Sequence, residues 1–220
     1  MDALQDFAGD FEAHLTVATG AAGAGTLDDW AAPRGLKVAH IVLARGRTPS
    51  QPMVTLRAAG TLPEARSLTA STAADLRRAG FTVTRTKIEA APWNAGVPGS
   101  DDEPHAPGRY FEHHVKLVLD AAAAGTDLAA LTALVVPHGA HLSRNARRVR
   151  ADGRQERFVT QRRRDVGAGT AGARLEALTT ALKTARHEIA SVEREYVVFD
   201  DDESLDDGWI DWIGEGRNGR

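Results

Sequence analysis

Residues 10–17 read DFEAHLTV and residues 110–117 read YFEHHVKL. Both spell Phe-Glu-x-His and continue apolar, polar, apolar, so the two side-chain classes alternate one by one. Alternation of that kind sends successive side chains to opposite faces of an extended chain. Both segments are therefore expected to be half-buried strands. The match does not stand alone. AAGAGT at 21–26 answers AAAAGT at 121–126, and Pro33-Arg34-Gly35 answers Pro137-His138-Gly139, each leading to a histidine, His40 and His141. Met53-Val54-Thr55-Leu56-Arg57 then answers Phe158-Val159-Thr160-Gln161-Arg162. Matches kept in one order at a nearly constant offset indicate an internal duplication.

The segments between the matches fill in the unit. Thr61-Leu62-Pro63-Glu64 is a capping box with proline in the first turn, and Gly80 fits a helix stop. Ala65, Leu68, Leu76 and Ala79 form an apolar stripe between them, and Leu175, Leu178, Leu182, Ile189 and Val192 are spaced for one helical face in the second copy. Shorter helices are expected at 27–32 and 127–135, and closing strands at 81–90 and 195–200. Each copy thus reads strand, helix, strand, strand, helix, strand, the split βαβ order. The expected fold is α+β: two tandem ferredoxin-like repeats in a bilobed, pseudo-twofold domain. The first repeat would cover 1–92, a Gly/Pro linker 93–108, the second repeat 109–200, and an acidic, Trp-containing tail 201–220.

Composition sets limits on the chemistry. No cysteine is present among the 220 residues, which excludes disulfides, thiolate metal sites and a cysteine nucleophile. The chain has no run of 18 apolar residues and no charged-then-apolar leader, so no membrane association is expected and the setting is read as cytoplasmic. Net charge is only −3, but residues 141–164 hold nine arginines, whereas Asp200–Glu215 holds eight acids and no basic residue. The arginine-rich segment, with Asp152-Gly153 at a hairpin turn, could meet RNA or an acidic protein. With Phe158 as its sole aromatic it is a poor stacking platform, so RNA is not the favoured partner. The tail could cover this hairpin or enter the cleft as a substrate mimic.

A ferredoxin-like sheet packs helices on one face, which leaves Glu12, His14 and Thr16, and likewise Glu112, His114 and Lys116, pointing away from them. Lys87 and Glu89, His141 and Ser143, and Glu193 and Glu195 repeat the pattern on other strands. Two such faces opposed across a cleft would gather acids, histidines and cations where pKa values shift. His14-x-Thr16 and His141-x-Ser143 each place an imidazole and a hydroxyl on one face. Such a pair can serve as acid or base while the hydroxyl holds a phosphate oxygen.

These two tripeptides and the duplicated architecture resemble the two-histidine phosphoesterase superfamily. That likeness implies hydrolysis or transfer of a phosphoester or phosphoanhydride on a small or nucleotide-like substrate. His14 and His141 would be acid and base, with Thr16 and Ser143 orienting phosphate oxygens. Lys116, Arg144, Arg162 and Lys87 would neutralise substrate charge. A second likeness rests on Glu112-x-His114-x-Lys116, Lys87-x-Glu89, Arg162-x-Arg164 and Glu193-x-Glu195, which resemble triphosphate tunnel metalloenzymes. There the N-terminal acid-x-acid-x-lysine signature is replaced by Glu12-x-His14-x-Thr16. That resemblance implies acids holding a divalent metal and cations holding a polyphosphate. A third reading is a mononuclear site for Zn, Mn, Fe or Mg, chemically analogous to vicinal-oxygen-chelate enzymes. There His14, Glu89, His114 and Glu193 or Glu195 would offer two imidazoles and two carboxylates; if a metal is present, Glu12, Glu89, Glu112 and His114 are the ligands to test.

Overall fold

A computed structural model describes residues 6–18, 24–120, 126–148 and 150–210. Residues 21–23 of AAGAGT and 121–125 of AAAAGT lie outside the described residues, as do Trp212 and Ile213 of the Trp-containing tail. The elements run β1 (Ala8–Val17), α1 (Ala24–Ala31), β2 (Lys37–Leu43), β3 (Ser50–Thr61), α2 (Leu62–Arg78), β4 (Val83–Ala90), then β5 (Tyr110–Leu119), α3 (Thr126–Val135), β6 (Ala140–Asn145), β7 (Gln155–Arg163), α4 (Ala168–Thr184) and β8 (Glu188–Asp200). The architecture is α+β with an antiparallel sheet, and the first six elements recur in kind as the last six.

The alternation of the opening segments shows which way they face. Phe11, Ala13, Leu15 and Val17 of β1 pack with Leu62, Ala65, Ala73 and Leu76 of α2 in one apolar cluster. Val115, Leu117 and Leu119 of β5 pack with Leu175, Leu178 and Leu182 of α4 in another. The helices therefore cover one face of the strands, and the polar residues of β1 and β5 turn to the other.

What the sequence reading did not anticipate is how that other face is enclosed. Strand order within each half is 4-1-3-2, but β2 pairs with β6 and β4 pairs with β8, so all eight strands close into one barrel, β1-β3-β2-β6-β7-β5-β8-β4. Two lobes facing across a cleft are replaced by a single ring. The polar face becomes the barrel interior, and both apolar cores lie outside the ring, beneath the helices. An eight-stranded barrel is about wide enough for its interior to be filled by side chains. Burying charges there is costly unless each is paired, and the outer cores must supply the stabilisation that offsets it.

Two helix readings need correction. Leu68 is 46% exposed, and α2 buries Leu62, Ala65, Thr69, Ala73 and Leu76 instead. Ile189 and Val192 are not on a helix: α4 ends at Thr184 and both residues belong to β8. Arg186, at φ 63°, reverses the chain between them, and no glycine marks that turn in the sequence. Among the described residues no helix is long and apolar enough to cross a membrane.

Candidate functional site

The strand register places matching residues from the two halves in matching rows. His14 lies opposite Thr55 on one neighbour and Lys87 on the other, and Glu12 lies between Arg57 and Glu89. His114 lies opposite Thr160 and Glu193, and Glu112 lies between Arg162 and Glu195. Two Thr–His–Glu rows result. In the first, His14 Nδ1 meets Thr55 Oγ1 at 3.0 Å and Nε2 meets Glu89 Oε2 at 2.9 Å. In the second, His114 Nδ1 meets Thr160 Oγ1 at 2.9 Å, while Nε2 is 3.5 Å from both Glu112 Oε2 and Glu195 Oε2. All of these side chains except that of Glu89 line a cavity of about 550 Å³.

Electrostatics decide the protonation of the rows. Burial works against a charged imidazole at both positions, but the carboxylates outweigh it. The pKa of His14 is raised by Glu89, and that of His114 is raised to about 10 by Glu112 and Glu195. In the imidazolium form both ring nitrogens donate, one to threonine and one to glutamate. Burial likewise opposes ionisation of Glu89, yet Lys87 and His14 hold it down at about 2. Glu112 is held well below the ordinary range, against burial, by Arg162 and Lys87. Glu195 is pushed upward, first by burial and then by the charge of Glu89.

Ligand atoms of Glu89, Glu112, His114 and Glu195 all lie within 4.8 Å of one another. Three carboxylates and one imidazole of this kind match the donors of a hard or borderline divalent cation. A cation already sits among them: the Lys87 ammonium pairs with both Glu89 and Glu112. Three of the four residues read from sequence as metal ligands are thus brought together. Glu12 is not among them. It pairs instead with Arg57, Nε to Oε2 at 2.8 Å, and lies 3.8 Å from His14 Nε2.

Other residues singled out in the sequence fall unevenly. Thr16, Ser143, Lys116, Lys87 and Arg162 all line the cavity. Arg144 does not: it is exposed, on the outer face of β6, since its neighbours Ser143 and Asn145 point inward. His141 is buried on the inner side, opposite Thr160, but is not part of the cavity lining. Nor is it the counterpart of His40. The left-handed glycines Gly35 and Gly139 precede β2 and β6, and counting from them aligns His141 with Lys37. Both of these lie opposite the row threonine, Lys37 against Thr55 and His141 against Thr160. His40 bonds Ser50 through Nε2 at 2.8 Å.

Several members were missed in the sequence. Thr55 and Thr160 stood inside the repeated VTLR and VTQR segments, and period-2 spacing from Lys87 and Glu89 would have added Arg85. The largest omission is Asp206, read as part of a charged tail. It is 4% exposed and reaches into the barrel, taking Arg85 Nη1 at 2.8 Å and Arg162 Nη2 at 2.7 Å on Oδ2, and Gln51 Nε2 at 2.9 Å on Oδ1. Trp209 and Ile210 pack with Leu43, and Trp209 Nε1 donates to the Leu142 carbonyl at 2.9 Å. Those two apolar residues were the signal that the tail docks.

No family model and no curated protein matches the chain. Among solved structures, the acetolactate synthase small subunit from Thermotoga maritima aligns over 84% of this chain and 92% of its own, at 13% identity and a TM-score of 0.28. That likeness is too slight to carry fold or activity. The site has to be read from its own chemistry.

Asp206 gives one direct test of the electrostatics. Burial opposes its ionisation, but Arg162 and Arg85 hold its pKa at about 2, below the ordinary 3.8. A depressed carboxylate contributes stability that is complete above about 3.8 and lost as pH falls through about 2, amounting to about 2 kcal/mol. Urea unfolding of wild type and Asp206→Asn should differ at pH about 5 and converge toward pH about 2. A gap that stays constant over that range would refute the assigned ion pairs.

Proposed function

We propose that the barrel interior binds a small phosphorylated substrate and hydrolyses or transfers its phosphoester or phosphoanhydride. The observation that carries this reading is the pair of Thr–His–Glu rows beside buried cations, inside one closed ring. Phosphoryl transfer requires positioned positive charge and a proton donor or acceptor, with little covalent chemistry from the protein. Lys87, Lys116, Arg57 and Arg162 supply the charge, and the threonines fix each imidazole in orientation. His14 and His114, rather than His14 and His141, are the acid–base pair in this reading, because they occupy equivalent positions and both face the cavity. A divalent cation held by Glu89, Glu112, His114 and Glu195 would polarise a phosphoryl oxygen and would take the His114 imidazole as a ligand, leaving His14 as the acid–base group.

The same observations support reading the halves as tandem copies of one ferredoxin-like unit. Element order, the 4-1-3-2 strand order and the Thr–His–Glu row all recur. A cytoplasmic setting accords with a phosphorylated metabolite as substrate. An RNA partner is less favoured, since Arg150 and Arg154 are engaged by Asp152, Glu156 and Glu188.

The reading is tested by phosphate release from tripolyphosphate and a nucleoside triphosphate, and by nitrophenol release from a nitrophenyl phosphodiester, each with Mg²⁺ and with Mn²⁺. His14→Ala should lower kcat by about 10²–10⁴-fold, the range for loss of a general acid or base. No turnover on any of these substrates with either metal would overturn the proposal.

A further inference from the structure

Asp206 differs from every other acid in the barrel in where it comes from. Glu12, Glu89, Glu112, Glu193 and Glu195 are strand residues, fixed by the sheet. Asp206 belongs to a short 3-10 turn, Glu203–Asp206, that follows the last strand. Its carboxylate nevertheless receives three hydrogen bonds from three strands, β3, β4 and β7. The donors are among the least exposed polar residues of the protein: as whole residues, Gln51 is 3% exposed, Arg85 4% and Arg162 5%.

Charge pairing alone does not demand this contact. Arg85 already holds a strand carboxylate, with Nε and Nη2 both donating to Asp200. Arg162 already holds Glu112 through Nε. Asp200 is fixed in turn by the Tyr110 hydroxyl at 2.9 Å. Each guanidinium is therefore oriented from the sheet as well as by Asp206, with one Nη directed at the same spot. Two guanidinium donors and an amide converging on one point suit the planar oxygens of a carboxylate and equally the oxygens of a phosphate. The spot also lies on the wall of the cavity that carries the Thr–His–Glu rows.

We propose that Arg85, Arg162 and Gln51 form a phosphate-binding subsite of the barrel, and that Asp206 is its built-in occupant, displaced with the segment 203–210 when a phosphate group of the substrate enters. This rests on the reading of the barrel as a phosphate site. The segment is held in a way that permits release. Besides Asp206 it is held by Trp209 and Ile210 against Leu43, by the Trp209 indole on Leu142, by Arg47 N–H on the Asp207 carbonyl at 2.9 Å, by Arg164 on Glu203, and by Gln51 Nε2 and Arg45 Nε on the Leu205 and Trp209 carbonyls at 3.4 and 3.3 Å. None of these belongs to the barrel ladder. Gly46, at φ 112°, lets the β2–β3 turn approach it closely: a Cβ there would lie 3.1 Å from the Asp207 carbonyl oxygen. A resident competitor lowers apparent affinity by the fraction of time the subsite is free.

The test uses the full chain and tripolyphosphate, without metal. Calorimetric titration of Asp206→Asn should give at least tenfold tighter binding than wild type, and Asp207→Asn, whose carboxylate pairs only with the exposed Arg47 at 3.6 Å, should match wild type. In wild type, saturating tripolyphosphate should speed amide exchange across 203–210. If wild type binds tripolyphosphate but exchange in 203–210 does not rise and Asp206→Asn binds no tighter, Asp206 is a structural clasp. The displacement proposal then falls while the substrate reading stands. If neither chain binds, either without metal or with Mg²⁺ added, both fall. Should Asp206→Asn fail to fold, the exchange measurement on wild type decides alone.

Discussion

Replacing Lys87 with methionine is expected to cost the fold about 3–5 kcal/mol, the usual penalty for stranding one side of a buried ion pair. Lys87 lies between Glu89 and Glu112, and both carboxylates are essentially inaccessible to solvent. Without the ammonium, two buried anions would face each other across a gap sized for a cation. For a chain of this length the loss corresponds to a fall in Tm of roughly 10 °C. The same substitution should make the protein responsive to divalent ions. Millimolar Mg²⁺ or Mn²⁺ should recover much of the lost Tm in Lys87→Met, through Glu89, Glu112, His114 and Glu195, and move wild type less. A Lys87→Met variant as stable as wild type would remove the basis for a cation position. A destabilised variant indifferent to Mg²⁺, Mn²⁺ and Zn²⁺ would show that the cluster holds only a lysine.

A second large effect separates two pairs that look identical on paper. Glu12–Arg57 and Glu112–Arg162 occupy the same place in the two halves, opposite one another in the same antiparallel register. Their burial differs completely. The Arg57 side chain is 75% exposed, whereas Arg162 is 3% and Glu112 is 0%. A solvated pair of the first kind contributes about 0–1 kcal/mol. Arg162→Met takes one cation from Glu112 and one from Asp206, leaving them to Lys87 and Arg85, and a loss of about 3–5 kcal/mol follows. Double-mutant cycles with Glu12→Gln/Arg57→Met and Glu112→Gln/Arg162→Met, read by urea unfolding, should give a coupling below about 1 kcal/mol for the first pair and several-fold more for the second. Equal couplings would contradict the burial assignment.

The sequence showed a good deal of this, for a physical reason. Period-2 alternation reports which side chains share a face, and FEAHLTV and FEHHVKL placed Glu12, His14, Glu112 and His114 together correctly. It does not report what that face meets. A one-sided sheet bordering a cleft and a sheet rolled into a ring have the same alternation, and the β2–β6 and β4–β8 seams leave no mark in either strand. Residue identity also misled once. His40 and His141 looked like counterparts because both are histidines, but the left-handed glycines before β2 and β6 set the true register. Ile189 and Val192 fitted a helix period and belong to a strand, since the turn at Arg186 has no glycine or proline to announce it. Asp206 was lost among acids that are solvated, and only its distance from Trp209 set it apart.

The closing seams have one more consequence. Each half offers the same two free borders, so geometry alone would let a first half join another first half. Charge argues against that union. Opposite the paired histidines, β4 carries Lys87 where β8 carries Glu193, and opposite Thr16 and Lys116, β4 carries Arg85 where β8 carries Ser191. A ring of two first halves would bring two Lys87 and two Arg85 into one interior, and a ring of two second halves would bring four glutamates from β8. In the unlike ring those charges meet: Lys87 pairs with Glu112, and Arg85 with Asp200 and Asp206, so each half supplies counter-charges to the other.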